Sequence, residues 1–418
     1  MSIKSRVLNL IEGAKRSSRI LGAISTKDKD KALSFMAENL LKRSRYILFN
    51  NAKDVALAKK KDLSEAMIDR LKLTDKRIQE MSDSIKSIIG LSDPVGRVIS
   101  ESKRPNGLLI KKVRTPIGVV GIIYESRPNV TSDCASLCLK SGNACVLRGG
   151  SESINSNIAI HKAITENLDK FGVPKEAITL IDTIDREAID VMLKANGLID
   201  VVIPRGGEKL IKKVVEASTI PVIKHYKGVC NLYVDRFADI KKARDITINA
   251  KTQRPGVCNA IENLLVHKDI AKKFLPEIGR LLKEKGVELR GCKKTMKILK
   301  GIKKAAESDY FEEYLGLKLA VKIVDDVNEA IEFIDHYGSK HSDAIVTKNK
   351  KIGEEFLKRV DSSCVYLNAS TRFTDGYQFG LGAEIGISTD KIHARGPMAL
   401  EELCTYKYII LGKGQVRL

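Results

Sequence analysis

Apolar side chains recur at helical spacing through the first part of the chain. Intervals of three and four residues place such side chains on one face of an α-helix. The residues that follow this spacing are Leu8, Ile11, Ala14 and Ile20 in one run and Ala32, Phe35, Met36, Leu40 and Leu41 in the next. The sequence therefore predicts a helical region up to about residue 92, closed by the turn-forming residues 93–96.

Beyond residue 108 the pattern changes to short apolar runs with β-branched residues. Residues 117–124, Ile-Gly-Val-Val-Gly-Ile-Ile-Tyr, predict a strand that is buried on both faces. Alternating patterns follow, with helices predicted at 132–140, 155–168 and 186–195 and strands at 144–147, 177–181 and 199–204. Repeated β-α-β units predict an α/β fold with a parallel sheet covered by helices. Sheets of this kind bind nucleotides beyond the carboxyl ends of their strands.

Two glycine-paired turns each join a predicted strand to a predicted helix. Glycines let the backbone approach a ligand closely, a helix N-terminus offers free N–H groups, and an arginine adds positive charge, so both turns suit a phosphate. The alternative is that they are plain turns, because the chain has neither a Gly-x-Gly-x-x-Gly fingerprint nor a Walker loop. The candidate residues are Arg148, Gly149, Gly150 and Ser151 in one turn and Arg205, Gly206 and Gly207 in the other.

One cysteine follows a Pro-Gly turn directly. Cys258 precedes an apolar pattern at residues 260–265 that predicts a short helix. Free N–H groups and the positive end of a helix dipole favour a thiolate, and the same groups would stabilise an oxyanion formed when the sulfur attacks a carbonyl. The pattern therefore indicates an acyl-transfer nucleophile. The alternative is that Cys258 is one of eight scattered cysteines and only packs.

Size and composition narrow the class of protein. A chain of 418 residues is too long for one core, which predicts two or three domains. The eight cysteines and six histidines have neither pairing rhythm nor metal-ligand spacing, so we expect no disulfide framework and no metal site. The N-terminal residues lack a signal-peptide apolar region, and no apolar run approaches the about 20 residues that span a bilayer. These features predict a cytoplasmic protein without a membrane partner.

The chain carries a formal net charge of +21. Such a charge raises nucleic-acid binding as an alternative function. However, the basic residues lie mostly along helical faces, and the chain has no tryptophan and only 5% aromatic residues for stacking on bases. A positive field also concentrates a phosphorylated substrate and cofactor, which suits an enzyme.

Longer motifs, spread over nearly the whole chain, carry a resemblance to a known family. They lie at 69–74, 91–96, 124–131 (Tyr-Glu-Ser-Arg-Pro-Asn-Val-Thr), 148–150, 221–225, 249–260 (Asn-Ala-Lys-Thr-Gln-Arg-Pro-Gly-Val-Cys-Asn-Ala), 337–343 and 380–386. With these motifs the chain resembles the aldehyde dehydrogenase superfamily and, within it, the gamma-glutamyl phosphate reductase family. The resemblance implies an aldehyde-dehydrogenase-like α/β fold with a parallel-sheet cofactor domain, an α/β catalytic domain and a small oligomerisation arm.

The resemblance also implies a reaction. It is the NADPH-dependent reduction of L-glutamyl 5-phosphate to L-glutamate 5-semialdehyde with release of phosphate, the second step of proline biosynthesis from glutamate. The family's catalytic cysteine falls on Cys258, which would form a thioester with the glutamyl group. Asn259 joins the catalytic candidates. Ser126 aligns with the asparagine that holds the oxyanion in the superfamily, and a serine can donate one hydrogen bond.

Further roles follow from the same resemblance. Glu313, in Glu-Tyr-Leu-Gly, falls where the superfamily places a carboxylate on the nicotinamide ribose, and the alternative is an exposed glutamate at a helix end. Arg148 is the candidate partner of the 2′-phosphate that distinguishes NADPH from NADH. Hydrolytic relatives carry a water-activating glutamate where this chain has His225-Tyr226-Lys227-Gly228. The lack of that glutamate suits a thioester that must be reduced and not hydrolysed.

Candidate groups for the substrate's charges are less specific. Bidentate arginines suit carboxylates, which makes Arg127, Arg254 and the polar segment 368–372 candidates for the glutamyl group. His225 and Lys227 are candidates for the phosphate or a carboxylate, and the alternative is that they are surface charges. Two further functions stay open: a thioester-forming dehydrogenase that uses CoA or another acyl phosphate, and a nucleic-acid-binding protein on an enzyme-like fold.

Domains and partners are the last expectations from the resemblance. The alternating residues 406–418 would add a strand to a neighbouring subunit's sheet, which predicts a homodimer or larger oligomer. Glutamate 5-kinase, which would make the labile acyl phosphate, is a candidate for transient contact. The expected domains are an NADPH-binding domain at 1–98 with 115–228 and 390–403, a catalytic domain at 229–389, and an arm at 99–114 with 404–418.

Overall fold

The computed structural model describes residues 2–224 and 226–417. In it the chain divides into two compact units. Unit 1 comprises Met1–Lys224, Gly380–Gly386 and Met398–Leu418, and unit 2 comprises His225–Phe379 and Ile387–Pro397. The residues predicted to form the arm belong to unit 1 by this division. Within the described ranges, no helix is long and apolar enough to cross a membrane.

Unit 1 begins with the helical region that the spacing predicts. Its helices are α1 (Ile3–Leu21), α2 (Thr26–Lys42), α3 (Ser44–Lys60), α4 (Glu65–Leu71) and α5 (Asp75–Ile89). Four of them begin at a hydroxyl side chain that accepts a hydrogen bond from a backbone N–H in the first turn, which satisfies a donor that the helix itself leaves free. These residues are Ser2, Ser25, Ser64 and Thr74.

The α/β part of unit 1 contains a four-stranded parallel sheet in the order β5-β4-β3-β6. Parallel pairing with intervening helices confirms the prediction from the alternating pattern, with element ends that differ by a few residues. Its strands are β3 (Val119–Tyr124), β4 (Ala144–Gly149), β5 (Ile178–Leu180) and β6 (Val201–Arg205), and its helices are α6 (Val130–Lys140), α7 (Ile154–Thr165), α8 (Glu187–Leu193) and α9 (Glu208–Ala217).

A second sheet of unit 1 is antiparallel and largely exposed. It pairs β1 (Val98–Lys103), β2 (Leu109–Pro116) and β16 (Cys404–Leu411) in the order β1-β2-β16. β16 lies at the edge, and all of its residues after Cys404 are exposed. Its role as an oligomerisation arm stays a prediction.

Unit 2 is built on a seven-stranded parallel sheet in the order β10-β9-β11-β8-β7-β12-β13. Its strands are β7 (Cys230–Val234), β8 (Ile261–His267), β9 (Glu288–Gly291), β10 (Lys303–Lys304), β11 (Lys318–Val324), β12 (Ser342–Val346) and β13 (Cys364–Leu367). Its helices are α10 (Ile240–Thr252), α11 (Lys268–Glu284), α12 (Lys293–Ile298), α13 (Val327–Tyr337) and α14 (Lys350–Arg359). Two short strands, β14 (Gly386–Ser388) and β15 (Gly396–Met398), pair with each other.

The helix predicted after Cys258 is wrong. Residues 261–265 belong to β8, which is buried at all seven positions and pairs with β7 on one side and β11 on the other. A central parallel strand is covered on both faces, so its sequence does not alternate; β8 reads Ile-Glu-Asn-Leu-Leu-Val-His, and its polar side chains are buried as well. A run of this length has no period that separates a strand from a buried helix.

Candidate active site

Cys258 lies in the connection between α10 and β8, in residues 253–260, which we call the Cys258 loop. Its side chain is half-buried. Of the eight free cysteines, five are buried and three are half-buried, namely Cys258, Cys292 and Cys364. Cys258 is thus one of three thiols with partial access to solvent, but no helix begins beside it.

The helix N-terminus expected at Cys258 is found at Cys292. Cys292 directly precedes α12, and its sulfur lies 3.2 Å from the hydroxyl of Thr295. Burial acts to raise the pKa of the Cys292 thiol, but hydrogen bonds from that hydroxyl and from nearby backbone amides outweigh it and lower the pKa. In the sequence, the pattern Cys-Lys-Lys-Thr at 292–295 places a hydroxyl three residues after the cysteine, which could have indicated this environment. Cys292 is therefore the natural control for any experiment on Cys258.

The backbone at Cys258 is held from the segment that leads into β7. A Cβ atom added at Gly228 would lie 2.1 Å from the Cys258 carbonyl oxygen and 2.5 Å from its Cα. The Cys230 thiol donates a hydrogen bond of 3.1 Å to the same carbonyl oxygen. Burial raises the pKa of Cys230, which keeps this thiol protonated and able to donate. Two neighbours thus fix the peptide on which the candidate nucleophile sits.

Asn259 is 4% exposed, and its side-chain amide is fully engaged. Its Nδ2 donates to the carbonyl oxygen of Thr374 over 2.7 Å, and its Oδ1 accepts a hydrogen bond from the Arg372 guanidinium. Arg372 also donates from Nε to Gln253 Oε1 over 2.9 Å. These bonds bring the segment 368–372, a candidate from the sequence, against the Cys258 loop.

Arg372 adds positive charge beside this loop. Burial lowers the pKa of Arg372, and the neighbouring charge of Arg254 lowers it further. Arg254 itself is exposed. The Arg372 guanidinium donates hydrogen bonds to two neutral amide oxygens, and the charge of Asp375 partly offsets the lowering of its pKa. Two guanidinium groups near Cys258 favour an anionic ligand.

The turn at residues 148–151 begins with the last two residues of β4, in unit 1. A Cβ at Gly149 would lie 2.0 Å from Nδ2 of the buried Asn157, so a larger residue there requires that side chain to move. Arg148 is 6% exposed and donates to the carbonyl oxygens of Gly149 over 2.6 Å and Ile184 over 3.2 Å. Its buried Nε has no hydrogen-bond partner among the described residues. The role of Arg148 toward a cofactor phosphate stays a prediction.

Glutamates lie at both glycine turns of unit 1, which the sequence reasoning missed. Glu125 accepts a hydrogen bond of 2.9 Å from the Gly207 amide at the start of α9. Glu152 lies against Gly150 and accepts from Ser126, over 2.6 Å from its amide and 2.7 Å from its hydroxyl. A carboxylate of the chain itself thus occupies the Gly207 amide, and the phosphate role of both turns stays a prediction.

The remaining candidates are dispersed over both units. Arg127 is exposed between β3 and α6 in unit 1, and Lys227 is half-buried in unit 2. Glu313 is half-buried in unit 2, in the connection before β11. Arg205 is half-buried at the end of β6, and Gly206 next to it is exposed. His225 lies outside the described residues.

Comparisons with known proteins agree with this architecture. Residues 14–288 match the family model described as the aldehyde dehydrogenase family. The chain is 55% identical to the gamma-glutamyl phosphate reductase of Caldanaerobacter subterraneus over 97% of this chain and 98% of that protein. It is 54% identical to the gamma-glutamyl phosphate reductase of Thermodesulfovibrio yellowstonii over the full length of both.

Solved structures give the same result. The crystal structure of gamma-glutamyl phosphate reductase from Thermotoga maritima matches with a TM-score of 0.96 and 48% identity, over 99% of this chain and 100% of that one. An acetylating aldehyde dehydrogenase from Geobacillus thermoglucosidasius, 19% identical over 100% and 98% of the two chains, shares the fold with a TM-score of 0.71. The chain therefore belongs to the gamma-glutamyl phosphate reductase family of the aldehyde dehydrogenases.

Proposed function

We propose that the chain reduces L-glutamyl 5-phosphate to L-glutamate 5-semialdehyde with NADPH and releases phosphate, the second step of proline biosynthesis from glutamate. The observation that carries this proposal is 54% identity to a gamma-glutamyl phosphate reductase along the whole length of both chains. The cytoplasm is the proposed location, because eight free thiols suit a reducing compartment.

Cys258 is the proposed nucleophile. Its sulfur forms a bond to the acyl carbon, the bond between that carbon and the phosphate oxygen breaks, and phosphate leaves. The resulting thioester is then reduced, the carbon–sulfur bond breaks, and the free thiolate returns with the aldehyde. The fixed peptide at Cys258 supports this role, since the Gly228 and Cys230 contacts hold the nucleophile where small displacements are costly.

Unit 1 is the proposed holder of NADPH, which when bound supplies a hydride to the acyl carbon. The two glycine turns, at 148–151 and 205–207, offer backbone that approaches a phosphate closely, and the buried Arg148 Nε is a donor still to be satisfied. Glu313 is the proposed ribose ligand. If Arg148 selects NADPH, Arg148→Ala reduces the preference for NADPH over NADH, and an unchanged preference would refute this role.

The substrate's negative charges are the proposed reason for the two arginines near the loop. Arg372 donates hydrogen bonds to the amide oxygens of Gln253 and Asn259, and Arg254 adds a second positive charge. A glutamyl phosphate carries both a carboxylate and a phosphoryl group, and guanidinium groups bind either one in a bidentate manner. Arg127, Lys227 and His225 remain candidates for the same task.

The reverse reaction gives the sharpest test of this function. L-Glutamate 5-semialdehyde and NADP+ are mixed with the enzyme, with and without inorganic phosphate, and reduced cofactor is followed by its absorbance. We expect turnover only with phosphate, a loss of at least about 1000-fold in Cys258→Ala, and near-normal turnover in the control Cys292→Ser. Turnover without phosphate would indicate a hydrolytic dehydrogenase, and turnover with CoA in place of phosphate would favour the thioester-forming alternative.

A further inference from the structure

A buried ion pair joins the two ends of the Cys258 loop. Lys251 lies in the last turn of α10, two positions before the loop, and Glu262 is the second residue of β8, two positions after it. Lys251 Nζ lies 2.5 Å from Glu262 Oε2, and both side chains are 0% exposed. The same Nζ donates to the carbonyl oxygen of Ile261 over 3.0 Å. The loop that carries Cys258 is therefore closed at its base by a charge pair.

Burying this pair costs free energy, because both groups lose their hydration. Burial raises the pKa of Glu262 to about 8 and lowers that of Lys251, because both charges leave water. Replacing a buried ion pair with apolar side chains of similar size is often neutral or stabilising. Stability alone therefore does not explain why ionisable side chains occupy these two positions.

The other carboxylate oxygen of Glu262 contacts a second segment, residues 313–316. It accepts a hydrogen bond of 3.3 Å from the backbone amide of Leu315. Leu315 has φ of 49°, a left-handed conformation that is unfavourable in a non-glycine residue and persists only where its surroundings fix it. Its side chain is 46% exposed, so side-chain packing contributes little to that restraint.

The two segments also lie against each other. A Cβ at Gly256, in the Cys258 loop, would lie 3.6 Å from the carbonyl oxygen of Leu315, which is ordinary van der Waals contact. The charge of Glu313, the candidate ribose ligand, acts to raise the pKa of Glu262, which places the two carboxylates in one electrostatic neighbourhood. Glu262 thus reaches both the nucleophile's loop and the predicted cofactor segment.

We propose that the Lys251–Glu262 pair is a positioning pair, which holds the Cys258 loop and the 313–316 segment in one fixed arrangement. Neither residue touches the substrate in this account. Lys251 fixes the base of the loop, and Glu262 carries that restraint to the amide of Leu315. The inference rests on the proposed role of Cys258.

The test replaces the pair with apolar side chains of similar length, as Lys251→Met/Glu262→Met. Three quantities are measured: the thermal midpoint, kcat with the KM of each substrate, and backbone hydrogen exchange in peptides that cover 253–260 and 313–316. We expect a thermal midpoint near that of wild type, exchange that is faster in both peptides together, and a fall in kcat of about 10- to 100-fold.

The matched control is another buried pair of a lysine and a carboxylate, outside the Cys258 loop and the 313–316 segment. Lys29 and Asp93 form a buried pair in unit 1, with 2.8 Å between Nζ and Oδ2. Lys29→Met/Asp93→Met should leave hydrogen exchange at 253–260 and 313–316 unchanged. If the Lys251 double variant does not fold, Glu262→Gln keeps the size of the side chain, and we expect faster exchange in the same two peptides.

The exchange readout requires no substrate, so it separates this inference from the proposed reaction. Faster exchange in both peptides supports the positioning role even if the chain reduces a different acyl group. Unchanged exchange in a folded variant, or a change in only one of the two peptides, would overturn it whatever happens to kcat.

Discussion

Gly228→Ala should disable the enzyme by displacing the peptide of Cys258. The added Cβ would lie 2.5 Å from the Cα and 2.7 Å from the carbonyl carbon of Cys258. Carbon atoms at optimal contact are about 3.5 Å apart, so one of the two backbones must move by about 1 Å. Both atoms belong to main chain, so no side-chain rotation relieves the clash.

The expected effects on turnover and on stability are similar in free energy, since 100-fold in rate corresponds to about 2.7 kcal/mol. A displacement of about 1 Å at a reacting group costs on the order of 100-fold in rate. The strain of an added methyl group in a packed site costs typically about 1–3 kcal/mol. Since Cys230 also bonds to the Cys258 carbonyl oxygen, movement of the peptide breaks or bends that bond as well.

The assay compares kcat and the free energy of unfolding in denaturant for Gly228→Ala and the control Gly90→Ala. Gly90 ends α5 with φ of −67°, and a Cβ there would meet only the carbonyl oxygen of Ser87, at 3.5 Å. We expect Gly90→Ala to retain both properties and Gly228→Ala to lose about 100-fold in kcat while remaining folded. A folded Gly228→Ala variant with wild-type kcat would refute the claim that this contact fixes the nucleophile.

Three further predictions concern stability and assembly. Lys391 and Arg395 hold the pKa of Asp361 at about 2, so the carboxylate's contribution to folding stability is present above about pH 4 and is lost as the pH falls through about 2. Asp361→Asn should therefore lower the thermal midpoint at pH 6 but not near pH 2. A difference that does not depend on pH would contradict this reasoning. Asp54 is 1% exposed and accepts four hydrogen bonds from Asn155 and Ser156 at the start of α7. Asp54→Ala should therefore lower the free energy of unfolding in denaturant by about 3 kcal/mol. A decrease below about 1 kcal/mol would argue that these hydrogen bonds do not stabilise the fold. Ile410 is 59% exposed on the edge strand β16, and we expect it to be buried in an oligomer interface. Ile410→Asp should therefore yield monomers in light scattering. A wild-type chain that is already monomeric would contradict the proposed interface.

The local spacing of apolar residues and the alternation of strand and helix patterns predicted much of the fold of unit 1. Helical spacing located the N-terminal helices, and alternating runs located the parallel sheet of unit 1. The same reasoning failed at β8, because a strand covered on both faces does not alternate between apolar and polar positions. Its neighbours, β7 and β11, are set by pairing between distant parts of the chain, which no local period records.

The candidate site depends even more on distant contacts. Sequence reasoning assigned a helix N-terminus to Cys258, yet the structure gives that environment to Cys292. The contact of Gly228 with Cys258 joins positions 30 residues apart, and Glu125 binds the Gly207 amide from 82 residues away. The motif of residues 249–260 indicated which thiol to consider, whereas the groups that fix it come from other elements.

The most direct test of the central claim is to trap the acyl group on the enzyme. L-Glutamate 5-semialdehyde and NADP+ are mixed with the enzyme without phosphate, the reaction is stopped in acid, and peptides are mapped by mass spectrometry. The account predicts a glutamyl adduct on the peptide that contains Cys258, and its disappearance when phosphate is added before the acid. An adduct on Cys292, or formation of reduced cofactor with no adduct on Cys258, would contradict it.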